Sequence, residues 1–170
     1  MLLLILKRSK TASAKSRADR LSLLLFWITI PVSFTVGDMI AEREIGLPLD
    51  SVYKYIGIGV FAVGFIIRWV SVFQLGSMFT VDVSISSTHQ LKTNGLYTIV
   101  QHPSYLGLML LVAGISLFMC NALSSVVIIG AIFLVTNYRI AVEEKASTAE
   151  FGGEYEEYKK RVRRIVPWIY

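Results

Sequence analysis

Imidazole, phenol and carboxylate side chains, three groups that do chemistry in proteins, lie in this chain near the ends of apolar segments. Thr-His-Gln-Leu at 88–91 is followed by Gly-Leu-Tyr at 95–97 and by His-Pro-Ser-Tyr-Leu-Gly at 102–107. A later apolar segment ends in the carboxylate pair Glu143-Glu144. Ionisable groups are costly within a membrane, and those found there mark functional sites. We therefore interpret these groups as the walls of a ligand site that opens at the membrane surface.

The spacing of these residues argues against several other kinds of site. His89 and His102 lack the short spacing of a zinc-binding helix motif, so we predict no metal. The sequence has no glycine-rich phosphate loop of the dinucleotide type, and its serines have no plausible triad partners. The carboxylates could be a solvated helix end, and Arg139 could extend to lipid headgroups. However, Arg139 and Glu143 are four residues apart and therefore share one helix face.

Composition identifies the chain as a membrane protein of one domain, residues 1–170. Hydrophobic residues make up 54% of its 170 residues, and the mean hydropathy is +0.59. The net charge of +5 arises from cations concentrated at 7–20, before the first long apolar segment, and at 159–164, after the last. Cations in these places orient membrane spans and attract anionic headgroups, so we expect membrane lipids and no nucleic acid as partners. A single cysteine, Cys120, excludes an internal disulfide.

The apolar segments predict an all-α, polytopic membrane helix bundle of about four spans. A helix needs about 20 apolar residues to cross the hydrocarbon core. Residues 21–40, 53–75 and 122–142 meet this length, whereas 105–120 is short. The cations place both termini in the cytoplasm. The predicted parts are a basic cytoplasmic arm at 1–20, two spans within 21–75, and a core at 76–170 that carries the candidate site.

The third and fourth spans are predicted to form a tight antiparallel hairpin. Pro103 suits the first turn of a helix, and Asn121 suits an N-cap after a turn at 119–121. Helices joined by so short a turn pack side by side. We therefore expect 102–105 to lie at the same membrane level as 139–144.

The C-terminal segment is predicted to be an amphipathic helix. Its apolar stripe at helical spacing consists of Phe151, Tyr155, Tyr158, Val162 and Ile165. Gly152-Gly153 is expected to separate it from the preceding span. Such a helix lies on the membrane surface or covers the site as a lid.

These ordered motifs resemble the signature of isoprenylcysteine carboxyl methyltransferases and their membrane relatives. The matching positions are Leu91, 95–97, 102–107, Arg139 with Glu143-Glu144, Phe151-Gly152, Tyr155, Tyr158 and Pro167. The resemblance covers 76–168, more than half of the chain. The chain departs from the family pattern at Gln101, where Arg is usual, and at Ser147, where Leu is usual. Gln101 lacks the charge that could hold an acceptor carboxylate.

The resemblance implies an integral membrane enzyme that transfers a methyl group from S-adenosylmethionine to a lipophilic acceptor, such as a prenylcysteine carboxylate or another lipid-like substrate. It implies that Arg139 and Glu143 face the acceptor and the reaction centre. The residues that it places at the cofactor are Asp82, His89, Gln90, Leu91, Lys92, Tyr97, His102, Pro103, Ser104, Tyr105 and Glu144. A carboxylate acceptor needs a cationic anchor, for which Arg139 is the candidate, whereas an amine or thiol would need Glu143 as a base.

Two other functions are compatible with the sequence. One is an NADPH-dependent membrane reductase similar to the steroid 5α-reductase group, and the other is a non-enzymatic membrane scaffold subunit. The small size favours the bacterial inner membrane over the endoplasmic reticulum as the location. The oligomeric state is not indicated.

Overall fold

The protein is a bundle of α-helices. A computed structural model describes the backbone of residues 2–75 and 91–166, with side chains from residue 19 onward in those ranges. Its elements are α1 (Leu2–Glu42), α2 (Val52–Leu75), a 3-10 helix (Gly95–Thr98), α3 (Pro103–Leu117), α4 (Ala122–Phe151) and α5 (Gly153–Arg161). These described ranges contain no strand, which agrees with the predicted all-α class.

Three of the helices are long and apolar enough to cross a membrane: α2, α4 and the Asp19–Glu42 part of α1. Their outward faces carry large exposed apolar side chains, such as Trp27 and Phe73, at 66% and 74% exposure. Lipid is the solvent that such faces require. Helix α3 is apolar but has only 15 residues, which is about 22 Å at the helical rise. The predicted number of four spans therefore stays a prediction.

Helix α2 packs along α3 at a very short distance because glycines face each other. A Cβ atom on Gly114 would lie 2.6 Å from the Gly57 carbonyl oxygen and 2.6 Å from the Phe61 nitrogen. Both contacts are with backbone, which has no flexible end that could move aside. Gly57 and Gly64, which the sequence places on one face, are both buried.

We expect Gly114→Ala to destabilise the protein, because its methyl group would push two helix backbones apart. Overpacking of this kind typically costs about 1–3 kcal/mol, so the melting temperature in detergent should fall measurably. Gly59→Ala is the matched control, because a Cβ atom there meets nothing within 4 Å. An unchanged melting temperature in Gly114→Ala would contradict the close α2–α3 packing.

The predicted hairpin of α3 and α4 is confirmed. Pro103 occupies the first turn of α3, and the Asn121 side chain accepts a hydrogen bond from the Ser124 amide at 3.0 Å, as an N-cap does. The Asn121 side-chain amide also donates to the Ile45 carbonyl at 2.9 Å, and this bond holds the α1–α2 loop against the turn. Cys120 turns the chain with a φ of 50°. The hairpin consequently brings the first turn of α3 close to the end of α4.

The C-terminal helix is shorter than predicted. Gly152 ends α4 with a φ of 55°, as expected, but α5 ends at Arg161 and not at Ile165. At Val162 the backbone becomes extended, and the Arg163 carbonyl accepts a hydrogen bond from the Gln101 amide at 2.7 Å. Pairing with this neighbouring segment replaces the helical hydrogen bonds that would have continued α5. The predicted apolar stripe is nevertheless inward-facing, since Tyr155, Tyr158, Val162 and Ile165 are all buried.

Candidate functional site

Glu143, near the end of α4, accepts hydrogen bonds from two different helices. The Tyr105 hydroxyl of α3 donates to Glu143 Oε1 at 2.5 Å, and Arg139 Nε donates to the same oxygen at 3.0 Å. Arg139 is on the same face of α4 one turn earlier, as its spacing predicts. Tyr105 reaches Glu143 because the α3–α4 hairpin places them at one level. We call Tyr105, Arg139 and Glu143 the Glu143 cluster.

Arg139 is buried and already has carboxylate partners. Only 3% of it is exposed, and Nη1 donates to Asp19 Oδ1 at 2.6 Å and to Ser22 Oγ at 2.7 Å. Asp19 and Ser22 belong to α1, about 120 residues earlier, and sequence reasoning missed both. A lone carboxylate among the cations that precede a span is a weak signal, and nothing in the sequence pairs Asp19 with Arg139.

Glu144, the second carboxylate of the pair, is held by the C-terminal segment. Arg164 donates from Nε to Glu144 Oε1 and from Nη2 to Oε2, each at 2.5 Å. This is the two-bond geometry that makes arginine–carboxylate pairs strong and directional. His102 lies beside both carboxylates, with Nδ1 4.0 Å from Glu143 Oε2 and Nε2 3.6 Å from Glu144 Oε1. Sequence reasoning did not assign a role to Arg164.

Segment 162–166 follows α5, begins with extended backbone at Val162 and pairs with the residues that precede α3, and we call it the C-terminal strap. The His102 amide donates to the Arg164 carbonyl at 3.0 Å, and the Gln101 side-chain amide donates to the Val162 carbonyl at 2.6 Å. Gln101, the position where the chain departs from the family pattern, therefore holds the strap through a neutral hydrogen bond. The strap closes over the same residues that form the candidate site.

A hydrogen bond between α5 and the 3-10 helix adds a third attachment of the C-terminal region, beside the two that the strap makes to Gln101 and His102. The Tyr158 hydroxyl donates to the Tyr97 carbonyl at 2.6 Å. Burial raises the pKa of Tyr158, so the hydroxyl keeps its proton and remains a donor at physiological pH. Tyr97 is buried as well and reaches α2 through the Ser71 carbonyl at 3.4 Å.

The remaining predicted site residues differ in their surroundings. Leu91 packs against the buried cluster of Tyr155, Tyr158 and Val162, and Lys92 is half-buried. Pro103 is fully buried. Ser104 faces α2, where its carbonyl and hydroxyl oxygens accept hydrogen bonds from Arg68 at 3.1 and 3.3 Å. Asp82, His89 and Gln90 lie outside the described residues.

Two buried polar atoms at the centre of this region have no hydrogen-bond partner among the described residues, although His102 Nε2 lies 3.6 Å from Glu144 Oε1. They are Gln101 Oε1 and His102 Nε2. Buried polar atoms are almost always paired, and an exception at a candidate site is the place where a polar ligand would complete the pairing. Glu144 also borders a cleft of about 460 Å³ between α4 and α5, a volume within the usual range of small-molecule sites. Within the described part of the chain, no cluster of three metal-ligating side chains is present.

Comparison with known proteins links this geometry to one family. The model of the "Isoprenylcysteine carboxyl methyltransferase (ICMT) family" matches residues 56–149, more than half of the chain. A probable protein-S-isoprenylcysteine O-methyltransferase of Oryza sativa subsp. indica is 32% identical over 118 residues, which are 68% of this chain and 62% of that protein. The protein-S-isoprenylcysteine O-methyltransferase of Rattus norvegicus is 36% identical over 105 residues, 61% of this chain and 37% of that protein.

A solved structure is also similar. It is titled as the eukaryotic intramembrane Ras methyltransferase ICMT, with a TM-score of 0.61 and 26% identity, and the match covers 88% of this chain and 52% of that one. The chain thus spans less than two thirds of the length of these relatives. The matches agree with an all-helical membrane fold and give no support to the reductase or scaffold alternatives.

Proposed function

The chain belongs to the isoprenylcysteine carboxyl methyltransferase family, and from that premise we propose that it transfers a methyl group from S-adenosylmethionine to a lipophilic acceptor in the membrane. A prenylcysteine carboxylate is the first acceptor to test, because the curated relatives carry that substrate in their names. One observation carries the proposal. The α3–α4 hairpin and the C-terminal strap bring Tyr105, His102, Glu143 and Glu144 together at the ends of apolar helices.

The reaction needs alignment more than it needs proton transfer. When bound, S-adenosylmethionine would supply an electrophilic methyl group to the acceptor oxygen and would leave as a neutral thioether. A carboxylate acceptor is already ionised and needs no base. The chain therefore contributes by orienting the reactants and by excluding water.

We propose different functions for the two carboxylates. Glu143 fixes the Tyr105 hydroxyl and the Arg139 guanidinium at the acceptor side of the site. Because Arg139 is buried and bonded to Asp19 and Glu143, we assign it the task of orienting Glu143 rather than that of a free anchor. Glu144, held by Arg164, keeps the strap closed beside His102.

Gln101 Oε1 and His102 Nε2, which have no hydrogen-bond partner among the described residues, fit a ligand with polar hydrogen-bonding groups, as S-adenosylmethionine has. We propose that these two residues hold the cofactor together with Tyr105, Glu144 and Tyr97. The predicted contributions of Leu91, Lys92, Pro103 and Ser104, and of Asp82, His89 and Gln90 outside the described residues, remain part of this proposal. We also propose a single membrane domain with four spans and cytoplasmic termini, in the bacterial inner membrane or the endoplasmic reticulum.

We expect the detergent-purified protein to bind S-adenosylhomocysteine saturably in a calorimetric titration, with NADPH giving no signal. His102→Ala should weaken binding about tenfold or more, since a single group that contacts a ligand commonly contributes that much. Asp38→Ala, at an exposed carboxylate of α1, is the control and should bind normally. Binding of NADPH in place of S-adenosylhomocysteine would contradict the proposed cofactor.

The acceptor is tested separately. Reconstituted protein is supplied with radiolabelled S-adenosylmethionine and either an S-prenylated cysteine or the same cysteine without its prenyl group. Label that appears in the prenylated compound alone would identify a prenylcysteine acceptor. Release of that label as methanol in mild base would show that the methyl group is in a carboxyl ester. Cofactor binding without label in that compound would keep the methyltransferase proposal and reject this acceptor.

A further inference from the structure

Asp19 is a buried carboxylate on a helix that sequence reasoning had separated from the site. Only 7% of it is exposed, and its side chain lies 2.6 Å from Arg139 Nη1. Nη1 also donates to the Asp19 carbonyl oxygen at 3.2 Å. A buried, hydrogen-bonded ion pair costs much to break by removal of one partner, because the other charge is left unpaired.

Ser22, one turn later on α1, completes the attachment. It is fully buried, accepts from Arg139 Nη1 at 2.7 Å and donates to the Asp19 carbonyl at 2.8 Å. Carboxylate, carbonyl and hydroxyl oxygens of α1 therefore converge on one nitrogen of the guanidinium. Because the guanidinium is planar and rigid, fixing Nη1 also fixes the direction in which Nε points.

Arg139 Nε points at Glu143. The contacts run without a break from Asp19 Oδ1 to Arg139 (2.6 Å), from Arg139 Nε to Glu143 Oε1 (3.0 Å) and from that oxygen to the Tyr105 hydroxyl (2.5 Å). The first member belongs to α1, which precedes the segment matched by the family model, residues 56–149. Helix α1 thus supplies a part of the site that the matched core does not contain.

We propose that Asp19, supported by Ser22, is a positioning residue of the methyltransferase site: it orients the Arg139 guanidinium and, through it, Glu143 and Tyr105. The inference rests on the proposed function. It assigns α1 a catalytic contribution in addition to its contribution to the bundle. Asp19 itself does not touch the reactants, so its removal should affect turnover more than cofactor affinity.

The kinetic test compares Asp19→Asn with wild type in the prenylcysteine assay. We expect kcat to fall about tenfold or more while the KM for S-adenosylmethionine changes less than about twofold, the pattern of lost transition-state positioning. Asp19→Glu, which keeps the carboxylate, should recover part of the lost kcat. Asp38→Asn and Ser33→Ala are the matched controls on α1; Ser33 is buried like Ser22 and donates to a carbonyl of its own helix as Ser22 does, but Ser22 also accepts from Arg139 Nη1. Wild-type kcat in Asp19→Asn would overturn the proposal.

A second measurement does not depend on activity. In a double-mutant cycle of melting temperature, Asp19→Asn should destabilise the wild-type protein clearly but have little further effect in an Arg139→Gln background. Equal losses in both backgrounds would reject the Asp19–Arg139 link. Coupled stabilities in a wild-type protein that methylates no acceptor would instead reject the proposed function and leave Asp19 as a purely structural residue. A fall in kcat equal to the fall in folded protein, without recovery in Asp19→Glu, would also reject positioning.

Discussion

Glu143→Ala is expected to lower kcat/KM for methyl transfer by about 100-fold or more, which corresponds to roughly 2.7 kcal/mol of transition-state stabilisation. The substitution removes the acceptor shared by Tyr105 and Arg139. Both groups are largely or fully buried, and each donor left without a partner costs about 1–3 kcal/mol. The phenol then loses the contact that holds it in place, and Arg139 Nε loses its acceptor, although Asp19 and Ser22 still hold Nη1. Initial rates with radiolabelled S-adenosylmethionine and an S-prenylated cysteine measure the loss.

Three companion variants make the Glu143 result specific. Glu143→Gln should lie between wild type and Glu143→Ala, because an amide oxygen still accepts hydrogen bonds but no longer carries charge. Tyr105→Phe should give a smaller loss, since it removes one of the two donors. Glu150→Gln changes an exposed carboxylate on the same helix and should leave the rate unchanged. Full activity in Glu143→Ala, with a normal melting temperature, would remove the Glu143 cluster from the proposed site.

Local signals in the sequence were sufficient for the hairpin and for the placement of the three residues of the Glu143 cluster at one level. Pro103 and Asn121 mark helix starts because of their own backbone and side-chain chemistry, and both perform these functions in the structure. The four-residue spacing of Arg139 and Glu143 is a property of any α-helix. The position of Tyr105 at the level of Glu143 followed from helix lengths and one short turn; their hydrogen bond is seen only in the structure. Each inference depended on neighbours in sequence or on simple geometry.

The missed parts of the site depend on long-range packing. Asp19 meets Arg139 across about 120 residues because α1 packs against α4, and no single-sequence pattern encodes that pairing. Arg164 meets Glu144 because the chain leaves the helix at Val162 and pairs with Gln101. The stripe of Tyr155 and Tyr158 continues at helical spacing to Ile165, so periodicity alone extends α5 too far. The competing hydrogen bonds come from a segment 60 residues away and are invisible to a periodicity argument.

Arg164→Ala is expected to weaken S-adenosylhomocysteine binding about tenfold or more, with little of the loss explained by unfolding. The substitution removes both hydrogen bonds that fix Glu144, whose side chain is only 11% exposed. Glu144 would then lose its bidentate partner and the strap would lose the Arg164 attachment, although the Gln101 side-chain bond to Val162 and the backbone bonds of Gln101 and His102 to residues 163 and 164 remain. The strap should open more often, and we propose that an open strap retains the cofactor poorly. Titration calorimetry measures the affinity, and hydrogen exchange of the Gln101 and His102 amides, which donate to the Arg163 and Arg164 carbonyls of the strap, measures the opening.

We expect Arg164 and Glu144 to act as one unit in holding the strap. Glu144→Gln should weaken binding by a similar factor, and the double variant should be little worse than either single one, because each removes the same interaction. Arg164→Lys keeps the charge but not the two-bond geometry, so it should fall between wild type and Arg164→Ala. Arg161→Ala, an exposed arginine at the end of α5, is the control for loss of positive charge near the membrane. If Arg164→Ala accelerates exchange at the Gln101 and His102 amides but leaves affinity unchanged, the strap covers no part of the cofactor site and Glu144 does not contribute to cofactor binding through the strap. If affinity falls but exchange is not accelerated, Arg164 contacts the ligand directly. The Arg164–Glu144 pair would then belong to the ligand-free protein, and ligand binding would have to rearrange it.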